Sequence, residues 1–207
     1  MAPDDRTLAS YLSDLRSGKP TPGGGSASAY CGALGAALGA MVCRLTLGQA
    51  SADENADLTE LAETLDQMVD LFSQAARDDE RCFARYQAAT RLPKGTDEER
   101  QIRRVARQKA LRRAAEVPLG AAELALRSLT SLPEIARTGT HHALSDVETA
   151  QALLAAALDG ALISVQVNVD MIEDAAMVKT IVERMIAARS EARECAIRVK
   201  AELNARK

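Results

Sequence analysis

The chain has 207 residues and a formal charge of −3, and 47% of its residues are hydrophobic although only 2% are aromatic. That length allows one sizeable core, built on alanine and leucine, and the acidic balance argues against a nucleic-acid partner. The four cysteines are far apart, fit no CxxC metal spacing and read as reduced core residues of a cytoplasmic protein.

Strand signals are nearly absent and helical periodicity is almost continuous. The opening MAPDDRTLAS has no secretion pattern. Thr7–Ser17 is expected as a short helix with Leu8, Leu12 and Leu15 on one face, ended by Gly18 and Pro20. PTPGGGSASA then leads into a small-residue helix from Ser26 to about Leu47. Three glycines are costly to order, so some geometric requirement must offset the cost. A glycine turn entering a helix directs free N–H groups and partial positive charge outward. It is either a holder of anions or carbonyl oxygens or a tight turn capped by Ser26. No phosphate-loop lysine and no GxGxxG accompany it. Gly32, Gly35, Ala36, Gly39 and Ala40 recur three and four apart, which suits close helix packing. Ala27–Cys43 carries no charge but is short and weakly apolar for a membrane span, so no membrane is expected.

Asp53–Arg91 reads as one long helix with a seam of Leu58, Leu61, Leu65, Met68, Phe72, Ala75, Cys82 and Tyr86. Asp79 occupies the same seam, where a carboxylate is expensive unless paired or hydrogen-bonded. LPKGT (92–96) breaks the helix. Asp97–Glu116 is a charged helix whose seven Arg and Lys residues between 100 and 113 form either solvated surface or an anion-binding edge. Pro118 is expected to reset the chain into a separate helix, Leu119–Leu132, before a loop at Gly139. His141-His142 reads as a loop pair, and with no third ligand a metal is not expected. Ser145-Asp146-Val147-Glu148 matches a capping box opening a helix to Val169. Asp146 is there either a favourable first-turn acid or a carboxylate placed for proton transfer. The stripe of that helix is Leu154, Leu158, Ala161 and Val165, with Asn168 next on the seam. The last helix spans roughly Asp174–Arg206. The expected fold is all-α, a bundle of long antiparallel helices in one domain over residues 1–207, with self-association favoured by the thin Gly/Ala helix.

Three segments in order carry a family signature: TPGGGSASA with GALGAALGAMV, then DDERCFARYQAATRLPKGTDEER, then SDVETAQALLAAALDGALISVQVNV. The chain resembles the cyclodeaminase domain of formiminotransferase-cyclodeaminase and the related methenyltetrahydrofolate cyclohydrolases. The resemblance implies an all-helical homodimer acting on folate-bound one-carbon units with no cofactor and no metal. It implies cyclohydrolase activity, with cyclodeaminase activity or a non-catalytic folate-binding dimer as alternatives. By that resemblance Pro22, Gly23, Gly24, Gly25 and Ser26 form the family's glycine turn, Asp79 its acid before the LPK turn, and Ser145-Asp146 its serine-aspartate pair. Asp146 is then the general base or acid. Asp79 and Asn168 orient water or the pterin, the Gly23–Ser26 amides receive a folate oxygen, and Lys94 or an arginine of 100–113 meets the glutamate tail. The chain departs from the pattern at Gln49-Ala50, where a basic pair is usual, and at Ser164, Gln166 and Gly139-Thr140.

Overall fold

The computed structural model describes residues 6–49 and 51–206. Six helices account for almost all of it: α1 (Leu8–Leu15), α2 (Gly24–Thr46), α3 (Ala52–Thr90), α4 (Asp97–Thr138), α5 (Leu144–Val169) and α6 (Ala175–Ala205). A short 3₁₀ turn, His141–Ala143, precedes α5, and no strand occurs among the described residues. The departure at Ala50 lies outside those residues; Gln49 is exposed and donates to the Leu45 carbonyl.

α2 through α5 form a square bundle, with α6 laid against α4 and α5. α2 is the tightest member because it offers almost no side chain to its neighbours. A Cβ placed on Gly25, Gly32 or Gly39 would meet Asp79, Phe72 or Leu65 of α3 at 2.2, 2.4 and 2.9 Å respectively. Those glycines are seven residues apart, and so are their partners in reverse order, which fixes α2 and α3 antiparallel in one register. On its other side Gly35 receives Leu154 of α5, and Gly160 of α5 returns the favour to Ser28. Both α2 and α5 are long and apolar enough to cross a membrane by length and composition, with 56% and 39% of their most apolar windows buried inside the molecule.

The leucines of α1 share one face, and it is the solvent face: Leu8 is 67% exposed, and Tyr11 is the side chain the helix buries. One expectation fails for a visible reason. Pro118 does not break the chain, since α4 runs unbroken through both Pro118 and Pro133. Val117, Pro118 and Leu119 are all buried, so packing holds the helix together where propensity alone would end it. Proline cannot donate to the carbonyl four residues back. Here that carbonyl belongs to Ala114, and the Asn168 side chain of α5 donates to it at 3.0 Å.

Candidate functional site

α3 and α5 both extend past the start of α2. Asp79 of α3 and Ser164 of α5 lie level with the first turn of α2, at Gly25 and Gly24, and α3 continues to Thr90 while α5 continues to Val169. Where α2 is missing, a cavity of about 330 Å³ remains. Gly23 and Gly24 lie at its base, Asp79, Phe83 and Tyr86 on one wall, Ile163, Ser164, Val167 and Asn168 on another, with Ala114 of α4 between them. Pro20 and Thr21, in the loop leaving α1, close one side.

The positive end of α2 therefore points into this space, and the first group it meets is the protein's own carboxylate. The Ser26 N–H donates to Asp79 Oδ2 at 3.0 Å. Gly25 is explained by this contact, because any side chain there would occupy the volume of the Asp79 carboxylate, whereas a Cβ on Gly23 or Gly24 would meet its nearest neighbour at an ordinary 3.8 Å. Burial raises Asp79 above its ordinary value of 3.8; the Ser26 N–H opposes that, and the neighbouring Glu80 adds to it. Its charged form is thus held less favourably than that of an exposed aspartate.

Ser26 is itself fully buried and held by α1. Its hydroxyl donates to Glu80 at 3.4 Å and lies 3.2 Å from the Tyr11 hydroxyl. Arg6 donates to Glu80 at 2.8 Å and to Asp14 at 2.9 Å, with its guanidinium over the Tyr11 ring. Polar contacts from Arg6 and Tyr11 dock α1, which is why its leucines can face outward. Across the cavity, both amide hydrogens of Asn168 are used, on the carbonyls of Ala114 and Ser164. With its N–H groups committed, Asn168 has its Oδ1 left as an acceptor.

Of the residues singled out from sequence, Gly23, Gly24, Asp79 and Asn168 line this one cavity, and Gly25 and Ser26 abut Asp79. Pro22 lies in the loop between Thr21 and Gly23 without lining it. Lys94 is exposed in the α3–α4 turn. Ser145 and Asp146 lie at the far end of α5, about 33 Å from Asn168 at roughly 1.5 Å per residue. The capping box expected at Ser145 is not formed: α5 begins at Leu144 after Ala143, with no side-chain cap. A capping box does form at Thr96 and Glu99, opening α4. Arg6, Tyr11, Glu80 and Ser164 were not assigned to the site. Cys82, Phe83 and Tyr86 follow Asp79 at three, four and seven residues, a spacing that places them on its face of the helix.

The family model for formiminotransferase-cyclodeaminase matches residues 7–187. A methenyltetrahydrofolate cyclohydrolase from Methylorubrum extorquens is 37% identical over 174 residues, 83% of each chain. The formimidoyltransferase-cyclodeaminase of Rattus norvegicus is 35% identical over 211 residues, which is 98% of this chain and 38% of the rat protein. A crystal structure of formiminotetrahydrofolate cyclodeaminase from Thermotoga maritima shares the fold, with a TM-score of 0.88, 98% coverage of both chains and 24% identity.

Proposed function

This chain belongs to the formiminotransferase-cyclodeaminase family, and from that premise we propose that it is a methenyltetrahydrofolate cyclohydrolase, converting 5,10-methenyltetrahydrofolate and water to 10-formyltetrahydrofolate and a proton. The observation that carries this reading is a part-buried carboxylate, Asp79, fixed on the wall of a small, largely apolar cavity. Methenyl-folate presents a delocalised N–C–N cation. A carboxylate in poorly hydrated surroundings stabilises such a cation more than it would in bulk water. Water attacks the central carbon, and Asp79 takes the proton that water loses. The bond from that carbon to N5 then breaks as Asp79 returns the proton to N5 and the new hydroxyl releases its own proton to solvent, leaving the formyl group on N10. A carboxyl whose charged form is disfavoured by burial is a stronger proton acceptor than an exposed aspartate, and it can return the proton it takes. Asn168 Oδ1 accepts from a pterin N–H, and the α2 amides at Gly24 face a substrate oxygen.

The same cavity suits the second reading, cyclodeamination of 5-formiminotetrahydrofolate, which the names of the rat and Thermotoga maritima relatives favour. There N10 closes on the carbon of the protonated formimino group, Asp79 carries the N10 proton to the exocyclic nitrogen, and ammonia departs as the N–C–N cation forms.

We also propose that two copies complete the site. The outward faces of the neighbouring α2 and α5 carry Leu34 at 57% exposure, Met41, Leu45, Ile163 at 62% and Val167 at 59%. Such a surface is costly to leave in water. Ile163 and Val167 also rim the cavity, so a covering copy reaches its mouth. The midpoint of α5 falls between Ala156 and Ala157. A two-fold axis there sets Asp146 of the partner subunit level with Val167, which would give both acids one cavity.

One assay tests both parts. The near-ultraviolet absorbance of methenyl-folate is followed after adding protein at decreasing concentration. Rapid loss of absorbance, with turnover per chain falling on dilution, is expected. Appearance of that absorbance from formimino-folate alone selects the deaminase, and a stable bound spectrum with no turnover selects a binding protein. Turnover per chain independent of concentration, with a monomer's mass throughout, removes the shared site.

A further inference from the structure

A second depression, of about 620 Å³, runs along the outer seam between α3 and α4. Its floor is made of small apolar residues, including Ala89, Leu92 and Ala110. Arg85 from α3, with Lys109, Arg112, Arg113 and one acid, Glu116, from α4, stands around it. Arg112 is paired with Asp174 at 2.7 Å, and Arg113 reaches Glu116 at 3.5 Å. Arg85 and Lys109 are exposed and make no ion pair among the described residues. Cys82 lines both this groove and the Asp79 cavity, so the two spaces meet at one side chain. An apolar floor under a cationic rim fits a flat ring that ends in carboxylates: the ring is desolvated on alanine, and the carboxylates meet guanidinium and ammonium groups. Cys82 is itself buried, so the groove adjoins the Asp79 cavity across that shared wall.

We propose that the α3–α4 groove is the subsite for the benzoylglutamate arm of the substrate, with Arg85 and Lys109 as its free carboxylate-binding cations. This rests on the folate reading of the Asp79 cavity. Of the two expectations for the tail, it departs from Lys94, because the groove ends at Leu92 and Lys94 lies beyond it, and stays with the basic 100–113 stretch, though through Lys109 and Arg85 rather than a free arginine of that stretch.

The test uses the intact protein, the double variant Arg85→Ala/Lys109→Ala, and two probes. Both side chains are exposed and unpaired, so the melting temperature of the variant should match the parent. Calorimetric titration with p-aminobenzoyl-L-glutamate should show binding about tenfold weaker in the variant, the scale of a lost charge-assisted contact. p-Aminobenzoate, which lacks the glutamate, should not distinguish the two proteins. With methenyl-folate as substrate the loss should fall on KM rather than kcat, and it should shrink as salt is raised. Equal binding of p-aminobenzoyl-L-glutamate by both proteins, or no binding by the parent, overturns the groove assignment even if methenyl-folate is hydrolysed. Selective binding without any turnover keeps the groove and overturns the cyclohydrolase reading instead.

Discussion

At the scale of single residues, the site is organised by exchanges of hydrogen bonds that the backbone cannot make for itself. Helix starts leave N–H groups without partners, and Asp79 takes one of them at Ser26. A proline inside a helix leaves a carbonyl without its donor, and Asn168 supplies one at Ala114. Asn168 is thus an interior patch for Pro118 and a cavity residue at once. This coupling can be measured. Asn168→Leu should cost about 1–3 kcal/mol in chemical denaturation, the penalty for a polar group left unpaired. In a Pro118→Ala background the restored N–H serves Ala114, so the same change should cost less, with a coupling of about 0.5–3 kcal/mol. Strictly additive costs would show that the asparagine does not serve the proline. The seam positions of Asp79 and Asn168 were visible in the sequence as polar residues on apolar stripes. Their partners were not, because Ser26 and Ala114 are 53 and 54 residues away in the chain.

At the scale of elements, α2 is defined by what it lacks. Its glycines at 25, 32 and 39 form the slot into which α3 fits. Gly25→Ala should destabilise the protein by about 1–3 kcal/mol and reduce turnover, because the methyl group and the Asp79 carboxylate cannot share that volume. Gly120, in the middle of α4, has nothing within 4 Å of a Cβ. Gly120→Ala should therefore stabilise by about 0.5–1 kcal/mol through helix propensity alone. Thermal melts of the two variants side by side give the comparison, and a neutral Gly25→Ala would remove the slot. Helix positions were legible from periodicity, and α3 is bounded within a residue of its expected ends. The proline in α4 misled because a buried run from Val117 to Leu119 outweighs a local break. The leucine stripe of α1 did not reveal which face docks, because a salt-bridged arginine and a buried tyrosine hold that helix.

At the scale of the whole molecule, the bundle places its chemistry where one helix stops short. α2 ends, two neighbours continue, and the vacancy between them holds a carboxylate, an amide and the positive end of a helix. The central claim is that Asp79 in this vacancy moves the proton. Its raised pKa has a consequence for stability with a definite sign. Relative to the protonated form, stability is complete below the unfolded value near 3.8 and is lost as pH rises through the higher folded value. Asp79→Asn keeps an acceptor for the Ser26 N–H and deletes the buried charge. At pH 7 the variant should melt no lower than the parent, and that relative advantage should vanish below the unfolded pKa. The decisive measurement is methenyl-folate turnover by this variant at pH 7, alongside its melting temperature. The account predicts an intact fold with turnover reduced about 10²–10⁴-fold, the range for a lost general acid or base. A folded Asp79→Asn protein that turns over within tenfold of the parent would contradict it.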